Sequence, residues 1–388
     1  MNPQEVGSSI DRHRASPEVS LDRHTRSRLL ELGAMLAPRK AIYLDLCFWI
    51  LLRDAMRSGA PDVGLQMLST LRGLVKSGVA FCPISDGTFL ELFKQTDSAS
   101  RVATAGLIDE LSLGVTLVPF HLRVGTEIAH YVHSAKPGAS LYPLRELAWS
   151  KLSYVMGFVH PTKMAFDVAT NLAIQKAFFD HMWDNVSLVQ MCSHLGEAFV
   201  HADPLHFRQT SSNLNEQNQI HAADLKSFRK TYKDELIGVL DLFAGTLAQI
   251  LAPMLPLEAG PLPADGTGER AEVDRQCLSF LVGALGTEDG RKAIRSLHIK
   301  SLLHAAVRWN KKQALKPNDL FDFDHAAAAI GYCDAFFTDG PLRAMLSRRD
   351  LGLIEDFRCF VGSEVEDCQR YLAGIFNHAT TLDAAKKE

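Results

Sequence analysis

The chain has 388 residues, of which 47% are apolar, and a net charge of −4 at pH 7, with a mean hydropathy of −0.01. These values suit a globular protein that buries a sizeable core in one large domain or two ordinary ones. They argue against a strongly basic protein that wraps nucleic acid, but not against an enzyme that holds phosphates through metal ions and a local basic patch. Seven cysteines are scattered without a CxxC pair or metal-ligand spacing. The apolar neighbours of Cys47, Cys82 and Cys333 point to reduced, buried thiols in a cytoplasm. The opening Asp11-Arg12-His13-Arg14 is polar, so no secretory signal is expected. Leu236 to Leu255 is the longest apolar stretch. Asp241, Thr246, Gln249 and Pro253 interrupt it, so it is expected to be a core helix rather than a membrane span.

In chain order, residues 1–24 are rich in Ser, Arg and His without an apolar period, and are expected to form a disordered tail. A short helix follows over Thr25–Leu36, with Leu29, Leu30, Leu32 and Leu36 on its apolar side. Arg39-Lys40 leads into a strand, Ala41-Ile42-Tyr43-Leu44-Asp45, which ends in a carboxylate. A helix begins at Leu46 and continues through Trp49–Arg57. Another spans Asp62–Lys76, with Val63, Leu65, Met67, Leu68, Leu71 and Leu74 at helical spacing. The second strand is Val79–Ser85, and the helix after it carries Glu91. Ser85 and Asp86 look like its N-cap, and Ser85 is a further candidate for metal or phosphate contact. Arg101–Leu111 reads as a helix and Val115–Phe120 as a third strand. Strands alternating with helices in this way predict a parallel sheet, hence an α/β fold.

From about 123 to 310 the strand signal almost vanishes. Helices are expected over Leu144–Tyr154, Met164–Val186, Asp224–Leu251 and Arg291–Trp309. His201–Gln219 is polar and loop-like. Leu255–Arg270, with Pro256, Pro261, Pro263, Gly260, Gly266 and Gly268, reads as a flexible linker. The expected organisation is therefore a tail at 1–24, a first part of the sheet core at 25–122, a mainly helical insertion at 123–310 and a second part of the core at 311–388.

The second part opens on Asn318-Asp319-Leu320-Phe321-Asp322-Phe323-Asp324-His325. Asp322 or Asp324 can cap a helix start, where a carboxylate meets free backbone N–H groups. Ala326 to Ala329 suits a helix packed closely on a sheet. Ala335-Phe336-Phe337 is a short strand, stopped by Gly340-Pro341 just after Thr338-Asp339. Carboxylates thus fall at element ends, where open α/β sheets place ligand sites. Each also has an ordinary structural reading. Asp45 can simply cap the helix that follows, and Glu91, between Leu90 and Leu92, can be one polar face position. Asp339 and Asp334 can be turn residues. His325 reads as a packed helix residue and is left without a role.

Strand-Asp45, strand-helix-Glu91, helix-Asp322 and strand-Thr338-Asp339 together resemble the PIN domain, a family of metal-dependent nucleases. The resemblance spans roughly 37–122 and 316–360. It implies a PIN-like parallel sheet flanked by helices. It also implies that Asp45, Glu91, Asp322 and Asp339 are the catalytic, metal-binding acids. The Asp322-to-Thr338 spacing favours Asp322 over Asp324 as the third acid. The implied activity is phosphodiester hydrolysis with Mg²⁺ or Mn²⁺, by an endoribonuclease of toxin or defence type acting on RNA. A structure-specific or single-strand DNase of flap-nuclease type and a non-catalytic interaction protein are the alternatives. The helical insertion is large for this family, and could hold a protein inhibitor or a second copy of the chain. The chemistry is consistent with the residue types. Hard cations take oxygen ligands, lower the pKa of bound water and neutralise developing charge. Carboxylates gathered without a cation repel.

One stretch suits phosphate. Arg291, Lys292, Arg295, Lys300, Arg308, Lys311, Lys312 and Lys316 occur with no acidic residue among them, and Arg308, Lys311 and Lys312 join Thr338 as expected substrate contacts. Phosphate neutralisation there would make affinity fall with salt, whereas a solvated helix face is the structural alternative. Trp309 is either a stacking platform for an unpaired base or core. No GxGxxG, P-loop, HExxH or GxSxG pattern supports a nucleotide-cofactor, kinase or serine-hydrolase reading.

Overall fold

Four consecutive buried residues, Ala41 to Leu44, do not fit a helix with one wet face. They fit a strand covered on both sides, and they form β1 (Lys40–Leu44). The computed structural model describes residues 3–157, 165–195, 206–242, 244–251, 254, 262–311 and 313–385. In chain order the elements up to the second strand are α1 (Pro3–Arg14), α2 (Leu21–Leu36), β1, α3 (Leu46–Ser58), α4 (Val63–Lys76) and β2 (Ala80–Phe81). Next come α5 (Asp86–Leu92), α6 (Ser98–Ser112), β3 (Val115–Leu117), α7 (Phe120–Ser134), β4 (Trp149–Lys151), α8 (Leu152–Val155), α9 (Val168–Asn185) and α10 (Leu188–Leu195). Then follow α11 (Phe207–Ile220), α12 (Phe228–Leu242), α13 (Ala244–Leu251), α14 (Gly268–Leu285), α15 (Glu288–Ala293) and α16 (Arg295–Trp309). The chain closes with α17 (Pro317–Tyr332), β5 (Ala335–Phe337), α18 (Gly340–Leu346), α19 (Leu353–Phe357), β6 (Phe360–Gly362) and α20 (Val365–Ala385).

The fold is mostly helical, with two parallel strand pairs, β1 with β2 and β5 with β6, flanked by helices. Lys40 is opposite Ala80 in the first parallel pair, and Ala335 is opposite Phe360 in the second. The residues divide into two compact units. The first is Met1–Val118, Arg145–Val200 and Cys368–Glu388, and the second is Pro119–Leu144 and His201–Asp367. Residues from Arg145 onward in the first unit are grouped there with the first strands.

In the first unit α3 packs on β1 and α4 on β2. Met67, Leu68, Leu71 and Leu74 face inward from α4 with no exposed surface, each worth roughly 1.5–3 kcal/mol of burial. The second strand is shorter than the sequence suggests. Pro83 has no N–H to give a ladder, so pairing lapses after Phe81 and resumes only as a parallel bridge between Ile84 and Thr116. The helix expected over Leu144–Tyr154 is instead a short 3₁₀ turn, then β4 antiparallel to β3, then α8. Trp149, opposite Leu117 in that ladder, is buried edge-on to Phe81 at 5.2 Å. That tertiary contact overrides local helical preference. Nor is the N-terminal stretch a tail. It forms α1 and the start of α2, and α1 lies along α9.

In the second unit α17 packs on β5 and α18 on β6. The apolar stretch beginning at Leu236 is a core element, as its pattern suggests. Leu236, Leu240, Leu247 and Leu251 are buried together with Leu281, Leu285, Ile294 and Leu297. Among the described residues no helix is long and apolar enough to cross a membrane. Within the polar segment expected to be a loop, residues 207–219 are helical as part of α11. Two anchors hold that helix. Asn215 donates to the carbonyl of Leu315 and accepts from its N–H, both at 2.8 Å, and Phe207 meets Phe321 edge-on at 4.3 Å. The helix expected over Arg291–Trp309 is broken at the buried Ile294, whose φ of −98° and ψ of 57° separate α15 from α16. Residues 255–261 of the expected linker lie outside the described residues, and its end is the start of α14, capped by Thr267.

A polar knot sits inside this second core. Glu127, with no exposed surface, accepts from the N–H and hydroxyl of Ser296 at 3.0 and 2.6 Å, and from the Tyr332 hydroxyl. Arg123 donates to the Ser296 hydroxyl at 2.9 Å. Burial pushes both the Glu127 carboxyl and the Tyr332 phenol upward. None of these residues stands out in the sequence.

Candidate active site

The first unit brings two of the predicted acids together. Asp45 follows β1 immediately and serves as the N-cap of α3, with φ −68° and ψ 160°. Its Oδ1 accepts from the Leu46 N–H at 2.7 Å, which fixes the orientation of the carboxylate. Glu91 lies in the last turn of α5. Asp45 is 7% exposed and Glu91 9%, and their carboxylate oxygens lie within 4.8 Å of one another. Capping and site geometry are therefore compatible in Asp45: one carboxylate ends the strand, starts the helix and faces a second carboxylate.

Three hydroxyls the sequence reading did not connect hold this arrangement. Tyr43, two residues before Asp45 on β1, places its buried hydroxyl 2.7 Å from the Ser85 hydroxyl and 3.0 Å from that of Thr88. Ser85 is the N-cap of α5 and Thr88 is its N3 residue. The strand carrying Asp45 is thus tied to the first turn of the helix carrying Glu91. Ser85, considered above for metal or phosphate contact, shares a hydrogen bond with the Tyr43 hydroxyl. The alternation in Ala41-Ile42-Tyr43-Leu44 hints that Tyr43 and Asp45 share a direction, but its partners are some forty residues away in the chain and no local pattern names them.

The second unit places the remaining predicted residues on α17, β5 and α18. The cap of α17 is not Asp322 or Asp324. The helix begins earlier, at Pro317 in its first turn, and Asp319 accepts from the Lys316 N–H at 2.8 Å. Asp322 and Asp324 lie inside the helix and are half-buried. Asp324 forms an ion pair with Lys300, whose ammonium lies 4.6 Å from the centre of the Phe120 ring. Asp322 and the fully buried His325 are three residues apart and share a helix face, with Asp324 turned from it. Thr338 is fully buried at the end of β5, where its N–H donates to the Gly362 carbonyl at 2.9 Å. Asp339 is exposed and caps α18, accepting from the Leu342 N–H at 2.8 Å.

The basic stretch is less free than its charge suggests. Arg308 is paired with Glu235 at 2.6 Å, both largely buried, so its guanidinium is committed inside the second unit. Lys311 is exposed beside a cleft of about 210 Å³ lined by Asn215, Asn218, Asn310 and Gln313. Lys312 lies outside the described residues. Trp309 is 37% exposed and edge-on to Phe228 at 6.3 Å, which is neither a bare platform nor full core.

No protein-family model, curated protein or solved structure matches the chain.

Proposed function

We propose that the protein is a divalent-metal-dependent nuclease, acting on RNA as an endoribonuclease, with Asp45 and Glu91 as its central metal-binding carboxylates. One observation carries this reading: two buried carboxylates meet within 4.8 Å just beyond the carboxyl end of a parallel strand, where α/β sheets bind ligands. The oxygen donors fit Mg²⁺ or Mn²⁺, which prefer carboxylates to sulfur. Such an ion, when bound, supplies an activated water and neutralises charge on the phosphate.

The chain's own residues position these groups. The Leu46 N–H orients Asp45, and the Tyr43–Ser85–Thr88 hydroxyls fix α5, and with it Glu91, against β1. Asp324, held by Lys300, stands aside.

The test is cleavage of end-labelled single-stranded RNA and DNA by the purified full-length chain with Mn²⁺. RNA is expected to be cut, and Asp45→Asn to slow cutting on the order of 100-fold or more. Asparagine still caps α3, so the variant should fold. Wild-type cutting by Asp45→Asn would overturn the assignment, and cutting of DNA alone would replace the substrate.

A further inference from the structure

Away from the acidic pair, a second cluster of ligating side chains lies wholly within the first unit. His13 comes from α1, His24 from α2 and Asp180 from α9. Their ligand atoms all fall within 4.8 Å of one another. The Nε2 atom of His13 is 2.8 Å from Asp180 Oδ2, and that of His24 is 2.8 Å from Asp180 Oδ1. The two imidazoles meet edge-on, 4.9 Å between centres. The side chains are 10%, 15% and 17% exposed, so they are shielded without being sealed. An open cleft of about 700 Å³, lined by Asp180, His181, Arg12 and Arg28, adjoins them.

From this convergence we propose that His13, His24 and Asp180 form a binding site for a transition-metal dication of the Zn²⁺ type, which staples the N-terminal helix to α9. Two imidazole nitrogens and one carboxylate oxygen are a borderline-soft donor set, distinct from the all-oxygen pair at Asp45 and Glu91. Tetrahedral bonds of about 2.05 Å put neighbouring ligand atoms about 3.3 Å apart. The observed 2.8 Å contacts need open by only about half an ångström for an ion to enter. The cleft admits water as a fourth ligand. Each imidazole binds through Nε2 as its neutral ring, with its one N–H carried on Nδ1.

In the metal-free chain each Nε2–H donates to the Asp180 carboxylate, so an ion that takes Nε2 shifts the proton of each neutral ring to Nδ1. Burial is the main influence on His13 and lowers its pKa, outweighing the nearby Asp180, so the ring tends to be neutral. Burial pushes Asp180 upward, but hydrogen bonds from His24 and His13 and the nearby Arg28 bring it below the usual carboxylate range. Arg28 lies 3.7 Å from Asp180 Oδ1 and also holds Asp184 at 2.9 Å, so Asp184 can retain it when an ion takes Asp180.

A staple at this point has a physical purpose. Helix α1, Pro-Gln-Glu-Val-Gly-Ser-Ser-Ile-Asp-Arg-His-Arg, has few apolar residues to bury. Its contacts with α9 include polar ones. Lys176, 1% exposed, donates to the carbonyls of Ser16 and Val19 at 2.9 and 3.1 Å, fixing the turn between α1 and α2. The metal site would lock the same junction.

The experiment uses the full chain, stripped of metal by a chelator and titrated with Co²⁺ as a visible-absorption probe and with Zn²⁺. Wild type is expected to give the intense bands of one four-coordinate nitrogen–oxygen Co²⁺ site, which an all-oxygen site at Asp45 and Glu91 would not produce. Zn²⁺ should raise its melting temperature and protect Arg12 and Arg14 from trypsin. His24→Gln and Asp180→Asn should each weaken binding at least about 100-fold. Asp45→Asn should leave the Co²⁺ spectrum unchanged, which separates this site from the proposed nuclease centre. Absence of Co²⁺ bands in wild type, or Zn²⁺ protection undiminished in both variants, would overturn the proposal. The wild-type result stands even if a variant fails to fold.

Discussion

Two strand–Asp–helix junctions in this molecule are built alike and end differently. In the first unit, β1 runs apolar and buried into Asp45, which caps α3. In the second, β5 runs apolar and buried through Thr338 into Asp339, which caps α18. Both aspartates have extended backbone and accept from the helix they start. Yet Asp45 is 7% exposed with a second carboxylate within 4.8 Å, while Asp339 is open to solvent. The local motif therefore supplies a cap in both places. At the first junction a neighbouring helix, α5, delivers a second carboxylate, Glu91.

The contrast between the two aspartates predicts unequal effects of mutation. The largest effect is expected on activity. Asp45→Asn should lower Mn²⁺-dependent cutting on the order of 100-fold or more, and Asp339→Asn, on the exposed side of the comparison, by a smaller factor in the same single-turnover assay. Equal losses would erase the distinction. Asp45→Asn should also melt at the same or a higher temperature in metal-free buffer. Two unit charges at the 4.8 Å limit repel by about 3.5 kcal/mol at an effective dielectric of about 20.

Acid should separate the two units. In the second, burial lowers His304 to about 4 and His298 to about 3. Both rings are neutral when folded and take up protons more readily when unfolded. Stability is therefore complete above the unfolded value near 6.5 and is lost as pH falls through the window toward 4, by at most about 1.4 kcal/mol per pH unit for each histidine. Hydrogen exchange from pH 7 to 4.5 should accelerate earlier in α16 than in α4. Simultaneous loosening would contradict this.

The next effect concerns scaffolding. Tyr43→Phe removes the hydroxyl shared by Ser85 and Thr88 and should cost about 1–3 kcal/mol in chemical denaturation. Cutting should fall with it, because Glu91 is then less firmly placed. The smallest effect belongs to the exposed cap: Asp339→Ala should cost about 1 kcal/mol and Asp339→Asn a few tenths at most, read from denaturation midpoints.

What the sequence discloses follows how local each feature is. Strand β1, the helices α3 and α4, and Asp45 at a strand end are legible because period and end signals lie within a dozen residues. Strand β4 is not, because Trp149 owes its conformation to Leu117 and Phe81. Helices α1 and α11 read as unstructured because their anchors are polar and distant: Asp180 for His13 and His24, and Leu315 for Asn215. Arg308 looks available for phosphate until Glu235, far upstream, is found beside it. Asp322 and Asp324 are indistinguishable by local chemistry, and Lys300 separates them only in the folded chain.

The most direct measurement of the central claim is Mn²⁺ binding to the full-length chain, followed by electron paramagnetic resonance, in wild type, Asp45→Asn and Glu91→Gln. Wild type should take up Mn²⁺ from solution, quenching the free-ion signal, and each substitution should weaken that uptake at least about 10-fold. Uptake by both variants as tight as wild type would contradict the account, since the buried carboxylates would then hold no ion.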